Sequence, residues 1–75
     1  VDYLKIDGSF IQNLPQDSMN QNLVQSIVEV AHKLHKETIA EFVEDEETLR
    51  MVRNYGSDHA QGYHIGKPSP LGNYI

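Results

Sequence analysis

Three polar residues stand where apolar ones are expected. Lys5 lies between Leu4 and Ile6, Glu41 between Ala40 and Phe42-Val43, and Gln61 directly follows Ala60. Each falls at or near the carboxyl end of a segment that reads as a strand, the end at which α/β folds bind their ligands. Strands of a parallel sheet are covered on both faces, and a charge buried there is costly unless it is paired or metal-bound. Two readings follow for Lys5 and Glu41. One is a site that uses both, and the other is a structural ion pair across adjacent strands. Hard cations such as Mg2+ take oxygen ligands, commonly one or two carboxylates with water and substrate phosphate oxygens. Glu41 is therefore a candidate ligand, although a full metal site needs more than one. Glu44 brackets the same strand end and is ambiguous, whereas Asp45, Glu46 and Glu47 read as the cap and first-turn acids of a helix.

Other residue types carry less. His32 and His35 are spaced i, i+3 and His59 and His64 follow, but none of these spacings forms a closed zinc site, and a solvated-surface reading is preferred. Asp7-Gly8 and Gln61-Gly62 each hold a single glycine, too little for a phosphate-cradling loop. Pro68 and Pro70 read as stiffeners of a loop. The chain contains no cysteine, which excludes a disulfide framework, a thiolate zinc centre and a cysteine nucleophile.

The elements that must position these residues alternate. VDYLKI reads as a strand closed by an Asp7-Gly8-Ser9 turn, and Pro15 blocks a helix through the next segment. From Met19 to Leu34 the period is helical. Leu23, Ile27, Val30 and Leu34 form a stripe that Val24, Val28 and Ala31 widen, with a Ser18–Gln21 capping box at the start. TIAEFV, residues 38–43, reads as a second strand. Asp45 then caps a short helix with Leu49, Val52 and Tyr55 on its apolar face and Gly56 at its end. A third strand is expected within Ala60–Ile65. Strand, helix, strand, helix, strand predicts an α/β class built of parallel βαβαβ units with right-handed crossovers.

The 75 residues allow one small domain, and a chain of this size buries only about 60% of the surface it exposes when unfolded. Six Lys and Arg against eleven Asp and Glu give a net charge of −5, which argues against binding a nucleic acid polymer or an anionic membrane surface. No apolar run reaches the ~18 residues of a membrane span, and nothing reads as a signal peptide. The chain opens at Val1 directly into strand-like sequence, so a fragment is expected.

Taken together, DYLKIDGSFI, TIAEFVED and DHAQGYHIGKPSP resemble, in order and spacing, the carboxyl-terminal part of EAL domains, the bacterial phosphodiesterases of cyclic di-GMP. The resemblance implies that residues 1–75 form the last part of a modified (β/α)8 TIM-like barrel whose upstream part is absent. It also implies a two-metal site of Mg2+ or Mn2+ that hydrolyses cyclic di-GMP to linear pGpG. Under it, Lys5 lies near the metal-bound attacking water. Glu41 ligates one of the two metals and is also a candidate general base. Gln61 lies by the metal–water cluster and the substrate, and Glu44 takes a supporting role. Phe42 replaces a glycine frequent at this position and is expected beside a guanine, where it tunes binding; Pro68 is expected to border the nucleotide. The EAL signature, the upstream Asn and Glu ligands and the paired aspartates of the family all precede this stretch, so the 75 residues alone are expected to be inactive.

Two alternatives stand beside the enzyme reading: a degenerate, non-catalytic cyclic di-GMP receptor, and an independent small α/β interaction module. The resemblance further implies a homodimer of the full domain, with the Leu23–Leu34 helix taking part. It implies a cytoplasmic domain, and it allows an upstream GGDEF or sensory domain and a membrane anchor elsewhere in the parent. Open edges on both sides of three strands lead to an expectation of self-association for the isolated fragment.

Overall fold

Alternation of short apolar strands with helices yields a four-stranded sheet with one face packed on the helices. The computed structural model describes residues 2–62 and 69–71. Strand β1 (Tyr3–Ile6) is followed by a single helical turn α1 (Gly8–Ile11), a 3-10 turn at Leu14–Gln16 and the long helix α2 (Ser18–Lys33). Next come β2 (Glu37–Ala40), α3 (Glu46–Asn54), β3 (His59–Ala60) and β4 (Ser69–Pro70). The spatial order is β1-β2-β3-β4. β1 and β3 run parallel to β2, with Ile6 opposite Ala40 and Ala40 opposite Ala60. The βαβαβ expectation therefore holds through β3. β4 adds an antiparallel edge, with Pro70 opposite His59; an edge position is where a strand tolerates proline, which has no N–H to give to a neighbour.

Alternation along the strands divides the sheet into two faces. Leu4, Ile6, Thr38, Ala40 and Ala60 share the face that meets the helices. Ile6, Ala40 and Ala60 join Ile11, Leu14, Val24, Val28, Val43, Val52 and Leu71 in one core. Tyr3 and Lys5 share the other face with Glu37, Ile39 and His59. There the rings of Tyr3 and His59 meet edge to face, 5.5 Å between centroids, and His59 Nε2 lies 2.7 Å from Glu37 Oε1.

Several boundaries depart from the sequence reading. The Asp7-Gly8-Ser9 turn is the start of α1: Asp7 Oδ1 accepts the Ser9 N–H at 2.9 Å and caps it. Asn13, at φ 60, breaks the chain direction before Pro15. The cap of α2 is Asp17, whose Oδ1 accepts the Asn20 N–H at 3.0 Å, and no Ser18–Gln21 box forms. The Gln21 amide instead donates to the Leu14 carbonyl at 2.9 Å, tying α2 to the preceding turn. The buried stripe of α2 is Val24, Val28 and Ala31, while Leu23, Val30 and Leu34 are 39%, 56% and 60% exposed. Both sets satisfy helical spacing, and only packing on the sheet selects between them. β2 ends at Ala40, before the expected Val43, because Phe42 turns into the left-handed region at φ 62. α3 agrees with expectation: Asp45 Oδ1 accepts the Thr48 N–H at 2.7 Å, Glu46 and Glu47 occupy the first turn, and Gly56 at φ 95 ends it. Burial pushes the Tyr55 hydroxyl above its ordinary 10.0. β3 begins one residue earlier than expected, and residues 63–65 lie outside the described residues.

A carboxylate ties the start of β2 to β3 and α2. Asp58 Oδ2 accepts the Thr38 N–H at 2.9 Å and stands 2.9 Å from His32 Nε2. The Thr38 hydroxyl donates to Ser57 Oγ at 3.1 Å, and that hydroxyl donates to the His59 carbonyl at 3.0 Å. Each histidine thus has a carboxylate partner: His32 is exposed, as the solvated-surface reading expects, whereas His59 is half-buried, a correction to that reading. No spacing in the sequence signals either pair, since their partners lie 26 and 22 residues away.

Candidate functional site at the carboxyl ends of the strands

Parallel strands in register carry their carboxyl-terminal neighbours to one edge of the sheet. Past the Ile6, Ala40 and Ala60 level, the next residues are Asp7, Glu41 and Gln61. The backbone laces them together: Glu41 N–H donates to the Ile6 carbonyl at 3.2 Å and Gln61 N–H to the Ala40 carbonyl at 2.9 Å. Val43 N–H donates to the Gln61 carbonyl at 3.0 Å, so the segment after β2 keeps contact with the segment after β3. Lys5 lies one pleat lower, opposite Ile39. The structure thus brings Lys5, Glu41 and Gln61 to neighbouring strand ends on one side of the sheet.

Their environments differ from the buried-charge premise. Lys5 is exposed, and Glu41 and Gln61 are half-buried. Among the described residues neither Lys5 nor Glu41 is held in an ion pair, so the structural Lys5–Glu41 bridge does not form. Glu44 and Phe42 are both exposed. Pro68 and His64 lie outside the described residues.

The donor set can be weighed against the implied metals. Glu41 offers a carboxylate without a hydrogen-bond partner among the described residues, suited to one position on a hard divalent cation. No three His, Asp or Glu residues come together among the described residues to hold an ion. The described residues therefore fit one ligand of such a centre and not the whole of it.

Two glycines shape this edge in ways the sequence reading did not anticipate. A Cβ at Gly62 would strike the Val43 backbone, 2.6 Å from its N and its carbonyl carbon and closer still to its oxygen. A Cβ at Gly8 would clash with Phe42, 2.9 Å from its Cβ and closer still to two ring carbons. A lone glycine after a strand end was the visible signal in both cases, and it did not say what approaches.

The model of the EAL domain family matches residues 1–68. The chain belongs to the EAL domain family. It is 45% identical over 74 residues to cyclic di-GMP phosphodiesterase PdeB of Shewanella oneidensis, covering 99% of this chain and 9% of that protein. It is 47% identical over 70 residues to cyclic di-GMP phosphodiesterase PdeF of Escherichia coli K12, covering 93% of this chain and 9% of that protein. The chain thus spans about a tenth of the length of the curated relatives it matches. Among solved structures it superposes on the FimX EAL domain of Pseudomonas aeruginosa bound to c-di-GMP with a TM-score of 0.80 and 36% identity. That match covers 92% of this chain and 28% of the other. The α/β arrangement with parallel strands is accordingly that of EAL-domain structures.

Proposed function

We propose that these 75 residues are the carboxyl-terminal part of an EAL domain that hydrolyses cyclic di-GMP to linear pGpG. The observation that carries the reading is the convergence of Lys5, Glu41 and Gln61 on adjacent strand ends, in a chain whose relatives are named phosphodiesterases at 45% and 47% identity. Glu41 is the carboxylate of this chain that binds a divalent cation, Mg2+ or Mn2+, with the other ligands supplied from outside these residues. Metal pairs of this kind generate hydroxide near neutral pH and stabilise the oxygens of a phosphodiester displacement. Lys5 supplies a fixed positive charge toward the attacking water and the charge that develops on phosphorus. The Gln61 amide orients substrate or water by hydrogen bonding, Glu44 supports the strand end, and Phe42 and Pro68 border the nucleotide.

The test is hydrolysis by the full-length protein carrying this chain, with Mg2+ or Mn2+, beside Lys5→Ala and Glu41→Ala. Linear product from the unmodified protein, falling by about 100-fold or more in each variant, is the expected result. A second reading, a receptor that binds cyclic di-GMP without cleaving it, draws support from the FimX EAL domain's bound c-di-GMP. Binding by a folded protein that releases no product would establish that reading in place of the first.

A further inference from the structure

Phe42 and Gly8 fit one another in a way that neither backbone explains alone. The backbone of Phe42 is left-handed, φ 62, a region that non-glycine residues enter at a cost. Its side chain does little to offset that cost by burial, since the residue is 54% exposed. The ring nevertheless has a fixed seat. It folds back over the β1–α1 junction, where a Cβ at Gly8 would meet Phe42 Cβ at 2.9 Å and the ring carbons closer still. Gly8 is buried and is not in the left-handed region, so conformational freedom does not call for glycine there. Space does.

The segment carrying the ring is held on both sides. Glu41 N–H is bound to the end of β1 and Val43 N–H to the residue after β3. With its backbone tethered and part of its ring on Gly8, Phe42 presents the remaining ring surface to solvent beside Glu41. A flat, partly exposed aromatic surface suits a planar aromatic ligand ring, since offset stacking adds to simple area burial.

We propose that Gly8 is a positioning residue of this site: it seats the Phe42 ring so that its free surface stacks on a planar ring of the ligand. The inference rests on the cyclic di-GMP reading and deepens it, by assigning part of the affinity to a glycine that touches no ligand. The experiment is calorimetric binding of cyclic di-GMP to the full-length protein in EDTA, which prevents turnover. Gly8→Ala and Phe42→Gly are each expected to weaken binding about fivefold, and the double variant no more than Phe42→Gly alone, as for residues acting through one contact. Phe42→Tyr restores affinity and Phe42→Leu does not. Melting separates this from a structural role: Phe42→Gly relieves the left-handed backbone, so its melting temperature holds or rises while affinity falls. Losses that multiply in the double variant, or unchanged binding in Phe42→Gly, overturn the proposal alone. No binding by the folded, unmodified protein overturns it together with the reading on which it rests.

Discussion

At the scale of single residues, the strand-end edge depends on close backbone approach as much as on charged side chains. Gly62 shows this most directly, because the Val43 backbone occupies the place of a Cβ. Gly62→Ala must separate the segments after β2 and β3 and stretch the 3.0 Å bond between Val43 N–H and the Gln61 carbonyl. We expect a loss of about 1–3 kcal/mol, the usual cost of forcing atoms into a filled site, read as a lower denaturant midpoint. An unchanged midpoint would show that the close approach is not maintained in solution. Lys5, Glu41 and Gln61 were legible in the sequence because a polar residue in an apolar strand breaks a pattern. Their exposure was not legible, because it depends on what covers the sheet. The contacts at Gly8 and Gly62 were hidden because each lies far along the chain from the atoms it meets.

At the scale of elements, helix starts carry stabilising interactions that can be tested singly. Asp17 caps α2 by accepting the Asn20 N–H, and Asp17→Ala should cost about 1 kcal/mol, the usual value of such a cap. Ser18→Ala should cost much less, because the capping box expected from its spacing to Gln21 does not form. Thermal melting of the two variants side by side distinguishes the caps; equal losses would refute Asp17 as the cap. The same helix shows why its existence was readable and its orientation was not. Val24, Val28 and Ala31 share one helical face and Leu23, Val30 and Leu34 another, so periodicity alone admits either. The short β3 and the antiparallel β4 escaped for a different reason. Two-residue strands carry no period, and Ser69–Pro70 reads as a turn until a neighbour is present to pair with it.

At the scale of the whole molecule, an exposed apolar flank of α2 and an open sheet edge are both left uncovered among the described residues. Met19, Leu23, Val30 and Leu34 are all exposed, and β1 has a neighbour on one side only among the described strands. Unpaired strand groups and exposed apolar surface each promote association with further chain. The 75 residues prepared alone are therefore expected to sediment as dimers or larger species and to show no Mg2+-dependent hydrolysis of cyclic di-GMP. A sharp monomer with cooperative unfolding would refute the first expectation, and linear product from a homogeneous preparation would refute the second.

The left-handed turn at Phe42 also bears on how this position can change over generations. Valine, isoleucine and threonine are disfavoured there by the backbone before any ligand is considered. Glycine is conformationally free but forfeits the ring, and asparagine tolerates the turn while exchanging an aromatic surface for an amide. Variation at this position is thus channelled first by chain geometry. The residue found there in any descendant reports how the turn was accommodated before it reports what the site prefers to bind.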